Sequence, residues 1–130
     1  MEIVIDTAIL AVVLEKPERP ALVAATTGAV LFAPASLPGE VGSALVAAVR
    51  RRRLSAAAAA VGWNAFQKIA IRLMEVDVAR AIALASEQCV YAYDAYVLEL
   101  ARSRSLPLLT LDARLIAAAQ AAGIALLEVS

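Results

Sequence analysis

The sequence predicts an α/β fold with a central, mainly parallel sheet and helices over both of its faces. Three observations carry this. Strand-length apolar runs alternate with helix-length segments along the chain. The runs are apolar throughout, as in strands buried on both sides, and do not alternate with polar residues. Three of the four aspartates, Asp6, Asp94 and Asp112, stand where such runs give way to helices, and there a carboxylate can accept first-turn N–H groups.

The elements follow in order. Met1 to Ile5 reads as a short buried strand and Thr7 to Leu14 as a short helix, ended by Glu15-Lys16-Pro17. A second helix fits Pro17 to about Thr26, with Gly28 as its stop. Ala29 to Ala33 is a strand closed by Pro34, and Ser36 is placed to cap a helix running through Glu40 to Arg50. Ser55 caps the next, from Ala56 to about Lys68, where the alanine run Ala56 to Ala60 favours helix. Ile69 to Leu73 is a partly β-branched strand, and Asp77 caps a helix through Ala85. Asp94, after Tyr91-Ala92-Tyr93, opens a helix to about Arg104. Leu106 to Leu109 is a short strand. Asp112 opens a helix ending at Gly123, and Ile124 to Val129 is a last strand. No internal repeat or linker interrupts residues 1–130, which are expected to form one domain.

Composition narrows the chemistry. A hydrophobic content of 62% and a mean hydropathy of +0.77 raise the question of a membrane span. The longest uncharged run, Pro20 to Gly39, is broken by Thr26, Thr27, Gly28, Pro34 and Pro38, so no membrane helix is expected. Glu2 and Asp6, with no early basic residue, do not fit a secretory signal, and a cytoplasmic protein is expected. The chain has no histidine, which removes Ser-His-Asp catalysis, histidine bases and the usual zinc ligand sets. Its single cysteine, Cys89, has no intrachain disulfide partner and is expected to be a small core residue. A formal net charge of zero leaves no global footprint for nucleic acid. Attraction for a polyanion must then be local or supplied by a bound metal.

The acids are the functional signal. Asp6, Asp94 and Asp112 fall near strand carboxyl ends, the edge where open parallel sheets bind ligands. Glu40 falls in the first turns of the helix after the second strand and can point to the same edge. Each aspartate alone is more often a helix cap than a ligand, and a glutamate alone is more often solvated. Four acids converging among apolar neighbours change that balance, because crowded carboxylates repel unless something neutralises them. Oxygen-only donors suit magnesium or manganese. Such an ion can activate water and orient a phosphodiester.

The segments Val4-Ile5-Asp6-Thr7, Leu37-Pro38-Gly39-Glu40-Val41, Tyr93-Asp94-Ala95-Tyr96 and Leu109-Thr110-Leu111-Asp112-Ala113-Arg114 resemble PIN-domain proteins, above all the VapC-like toxins of toxin–antitoxin pairs. The resemblance covers essentially the whole chain. It implies a PIN-like three-layer α/β/α sandwich and a Mg2+- or Mn2+-dependent endoribonuclease. It also implies RNA as substrate, a VapB-like antitoxin as partner and a homodimer. Asp6, Glu40, Asp94 and Asp112 would be the metal-holding or water-orienting acids. Thr7 and Thr110 match positions that support a carboxylate or a bound water; local capping would serve them equally. Pro38-Gly39 before Glu40 departs from the family's more usual run.

Arg50, Arg51, Arg52 and Arg53 are the one basic cluster. They suit a helix C-terminus and are also candidate RNA contacts, in which case their effect falls with salt. Trp63, Phe66, Tyr91, Tyr93 and Tyr96 can stack bases or anchor the core or a dimer interface. Rival α/β functions lack their marks: there is no Gly-x-Gly-x-x-Gly, no phosphate-loop Gly-Lys-Ser/Thr, and Ala8 stands where a phosphoaspartate phosphatase has a second aspartate. Two alternatives stay open. One is a catalytically silent PIN-fold module that binds RNA or protein. The other is a nuclease that acts in RNA processing or on DNA and is not a toxin.

Overall fold

The computed structural model describes residues 1–129. Four strands, β1 (Glu2–Ile5), β2 (Val30–Pro34), β3 (Ile71–Met74) and β4 (Leu108–Leu109), form one sheet in the order β3-β2-β1-β4. Every pairing is parallel: Ile3 stands against Leu31, Val4 against Phe32 and Leu108, and Leu31 against Ile71. The expected α/β fold is therefore present, with a sheet that is parallel throughout.

Strand periodicity sorts the core into two layers. Ile3, Ile5, Leu31, Ala33 and Leu109 face one side, with α1 (Ile9–Val13), α2 (Arg19–Thr26), α3 (Leu37–Arg50) and α4 (Ala56–Gln67). Val4, Phe32 and Leu108 face the other, with α5 (Val78–Gln88), α6 (Ala92–Arg104) and α7 (Ala113–Ala121). Because both faces are covered, adjacent residues of β1, β2 and β4 are buried from Ile3 to Ile5, Leu31 to Pro34 and Leu108 to Leu109, which is why these strands read as unbroken apolar runs, while the edge strand β3 stays partly exposed. Gly62 lets α4 close on α1, since a Cβ there would stand 3.0 Å from Leu14 Cδ2. Among the described residues, no helix is long and apolar enough to cross a membrane.

Three of the expected caps form. Ser55 Oγ accepts the Ala58 N–H, Asp77 Oδ1 that of Arg80, and Asp112 Oδ1 that of Arg114. Other expectations are corrected. Ser36 does not cap α3: its backbone is already helical and its side chain makes no cap bond. No strand precedes Asp94, because α5 ends at Cys89 in the left-handed conformation (φ 53°) and the chain turns directly into α6. Tyr91-Ala92-Tyr93 has β propensity, but packing of α6 on α5 and the sheet overrides it. Tyr91, not Asp94, is the N-cap residue of α6, and Asp94 sits in the helix's first turn. Cys89 is exposed and not a core residue. The last strand shrinks to one parallel bridge, Leu126 on Leu108, because β4 offers only two residues to pair with.

One buried charge escaped the sequence reading. Glu99 on α6 is 2% exposed, and Arg102 reaches back to it at 2.7 Å.

Candidate functional site

Parallel pairing brings the carboxyl ends of the strands to one edge. The chain runs outward from β1 to β2 and β3, then returns to the opposite side of β1 as β4. The gap between β1 and β4 is therefore the topological switch point, where an open sheet leaves a crevice. Asp6 follows β1 and Asp112 follows β4, so the two flank that crevice. Glu40 comes from α3 on the β2 side and Asp94 from α6, which packs over β1 and β2.

Asp6 is nearly buried and tightly held. Its Oδ1 accepts the Ala8 N–H at 2.8 Å, and its Oδ2 accepts the Thr110 hydroxyl at 2.5 Å. Thr110 Oγ1 in turn accepts the Asp112 N–H at 3.1 Å. A hydroxyl can donate once and accept as well, so Thr110 gives its proton to Asp6 while its oxygen receives the Asp112 N–H. Thr110 thereby ties the end of β1 to the start of α7. Ser36, freed from capping, donates its hydroxyl to Glu40 Oε2 at 2.8 Å, one helical turn along. The sequence signal for this was the Ser-x-x-x-Glu spacing, which puts both side chains on one helix face. Pro38 sits in the first turn of α3, where proline is tolerated, so the departure at Pro38-Gly39 leaves the helix and Glu40's place in it intact.

The acids form a ring of electrostatic neighbours. Burial pushes the Asp6 carboxyl above the usual carboxylate range; the bonds from Thr110 and Ala8 oppose this, and Asp112 adds to it. Burial also raises Glu40, against the Ser36 bond, with Asp6 and Asp94 adding repulsion. Asp94 is raised by burial and then by Asp112. Among the described residues, the side-chain ion pairs are Arg80 with Asp77 and Arg102 with Glu99, so no lysine or arginine neutralises the ring. Four uncompensated oxygen donors fit a hard divalent cation. The coupling runs through pairs, and among the described residues no three acids stand close enough to share one ion.

Thr7 is half-buried beside Asp6, and its hydroxyl makes no hydrogen bond among the described residues. Arg50, Arg51 and Arg53 are exposed at the far end of α3, with Arg52 beside them at φ 57°. Ten residues separate Arg50 from Glu40, about 15 Å along the helix, so the structure does not bring the basic cluster to the acids. Trp63 stacks on buried Phe66 on the other face of the sheet from α6. Tyr91, Tyr93 and Tyr96 surround Asp94 on α6, with Tyr93 and Tyr96 edge to face.

A pH dependence follows. A carboxyl raised on folding contributes full stability below its unfolded value, here 3.8 for aspartate and 4.5 for glutamate. That contribution is lost as pH climbs through the folded value. The metal-free protein should therefore lose Tm from these groups between about pH 4.5 and neutrality. Glu40→Gln should remove part of that slope and raise Tm at pH 7 by about 3 °C. Melting curves of both proteins against pH test this, and parallel curves would refute it.

A family model described as PIN domain matches residues 3–123. No protein of curated function is significantly similar. Among solved structures, the crystal structure of PAE2754 from Pyrobaculum aerophilum is similar at 22% identity and a TM-score of 0.70, over 91% of this chain and 86% of that one. At that identity the likeness speaks for the fold.

Proposed function

The chain belongs to the PIN domain family, a nuclease fold in general, and from that premise we propose that it is a metal-dependent endoribonuclease, the toxin of a VapBC-type pair. The observation that carries this is the ring of four carboxylates, Asp6, Glu40, Asp94 and Asp112, at the switch point of the sheet, none of them ion-paired with a lysine or arginine among the described residues. Structural caps alone do not call for such a ring, and its destabilisation is the kind that functional sites accept.

Asp6, Glu40, Asp94 and Asp112 would hold one or two Mg2+ or Mn2+ ions. When bound, the metal supplies activation of water and neutralisation of the phosphodiester charge. Thr110 would aim Asp6 by donating its hydroxyl to Oδ2, a bond that opposes the rise burial imposes on this carboxyl. Ser36 occupies Glu40 Oε2 and leaves Oε1 free to take a proton from the attacking water. Thr7, with an uncommitted hydroxyl beside Asp6, would orient that water.

The partner reading rests on apolar surface. A groove of about 420 Å³ between α3 and α4, lined by Leu45, Val46, Val49 and Trp63, suits an apolar antitoxin segment. Exposed Val78 and Ile82 on α5 suit a homodimer contact. The cell compartment proposed is the cytoplasm, where RNA and antitoxin are met. A second reading, a binding module without catalysis, is favoured by the failure of any three acids to converge.

Purified protein incubated with RNA separates the two. Cleavage in magnesium or manganese should fall by at least about a hundredfold in excess chelator. Equal trace cleavage in both conditions, or none in either, would leave the binding module.

A further inference from the structure

We propose that the cavity beside Asp94 and Asp112 is a subsite for one nucleotide of single-stranded RNA, with its base stacked on Tyr91 and its phosphate on Arg114. The cavity holds about 540 Å³ between the α5–α6 turn and the first turns of α6 and α7. Asp94 and Asp112 form part of its wall, and Ala117 and Ala118 part of its floor. A group seated there lies next to the acids. The inference rests on the nuclease reading of those acids and adds the residues that grip the substrate.

Two side chains in the cavity have no structural task. Tyr91 is 83% exposed, so its ring gains little from packing. It occupies the N-cap position of α6, yet makes no side-chain cap bond there. An aromatic ring presented to solvent at the edge of a cavity is a stacking platform for a base. Among the described residues, Arg114 is the only cationic one lining the cavity. Among the described residues its side chain forms no ion pair. Without it, the carboxylates would repel a phosphate from this side. A planar, delocalised cation next to an aromatic face matches the two halves of a nucleotide. The base must be unstacked to reach Tyr91, which selects single strands over duplex.

The cavity contains its own probe. Cys89 lines it, is exposed, and is the only cysteine in the chain. Its alkylation by iodoacetamide therefore reports occupancy, and excess chelator keeps the RNA intact during the measurement. A short single-stranded oligouridylate should slow alkylation of Cys89 severalfold, and a duplex of the same length should not. Tyr91→Ala should weaken oligouridylate binding about tenfold, read by fluorescence anisotropy, and remove the protection. Arg114→Ala should reduce the slope of log affinity against log salt by about 0.7. In cleavage assays Tyr91→Ala should raise KM and leave kcat unchanged.

Absence of Cys89 protection at every oligouridylate concentration overturns the subsite, as does wild-type binding by Tyr91→Ala. The two readings fail separately. Metal-dependent cleavage with Cys89 unprotected removes the subsite and leaves the nuclease. Protection of Cys89 without any cleavage removes the nuclease and leaves a single-strand binding pocket.

Discussion

Asp94→Asn is expected to lower RNA cleavage by at least about a hundredfold while making the metal-free protein more stable. The two effects have one cause. Asp94 sits in the first turn of α6, half-buried, with its carboxyl raised by burial and by Asp112. It accepts no side-chain or cap hydrogen bond and pairs with no cation among the described residues. Its charge is therefore a cost to the fold, offset only in part by the helix dipole. Asparagine keeps the shape and removes the charge, and with it one oxygen donor for a divalent ion. Thr110→Val is the contrasting variant. It removes the hydroxyl that holds Asp6 and receives the Asp112 N–H, so activity should fall about 10–100-fold, as for supports of metal ligands. Here stability should fall as well, because a buried acceptor and a backbone donor both lose their partner. Single-turnover cleavage and thermal melts of the two variants read both axes. Asp94→Asn with more than about a tenth of wild-type cleavage would remove Asp94 from the chemistry.

Arg102→Ala is expected to be the most destabilising substitution at an exposed position. Arg102 is 39% exposed in its side chain, but its guanidinium, at 2.7 Å from Glu99 Oε2, is the only cation paired with a carboxylate that is 2% exposed. Removing one partner of such a pair leaves an uncompensated buried charge, at a cost of about 3 kcal/mol. For a domain of this size that is a fall in Tm of about 10 °C. Glu99→Gln in the same background should recover much of the loss, because the neutral amide no longer needs a counter-charge. A loss of less than about 1 kcal/mol in Arg102→Ala would show that solvent reaches Glu99 and screens it. The pair lies one to two turns along α6 from Asp94, on the helix that carries that acid to the sheet edge. Full retention of nuclease chemistry in folded Arg102→Ala is expected at low temperature.

Much of the candidate site was legible in the chain because its logic is local. An acid at the end of an apolar run is costly wherever it lies; Asp6 directly follows β1, and Asp112 comes three residues after the end of β4 as the N-cap of α7. Asp94 was placed at the right edge for the wrong local reason. Its flanking tyrosines resemble a strand; Tyr91 stays extended as the N-cap, and Tyr93 enters the first turn of α6, which packs against α5 and the sheet. Serine before a helix is usually a cap, but α3 begins early enough that the Ser36 hydroxyl turns to Glu40 instead. The buried Glu99 had no local signal, since an i,i+3 Glu–Arg pair looks the same on a solvated helix. Cys89 was read as core from its chemistry, while the turn it occupies leaves it exposed.

The sequence by itself determined the α/β class, most of the order of elements, the lack of any histidine and the four acids as candidates. Those properties depend on residue type and on spacing within one element, where hydrophobic period and capping chemistry act over a few residues. The tertiary structure alone decided the strand order β3-β2-β1-β4, which makes β1 and β4 neighbours across the switch point. It alone brought the acids near one another at one sheet edge and tied Asp6 to Thr110 across 104 residues of chain. Such relations arise when distant segments bury apolar faces together, and a polar side chain then meets whatever neighbour the packing leaves beside it.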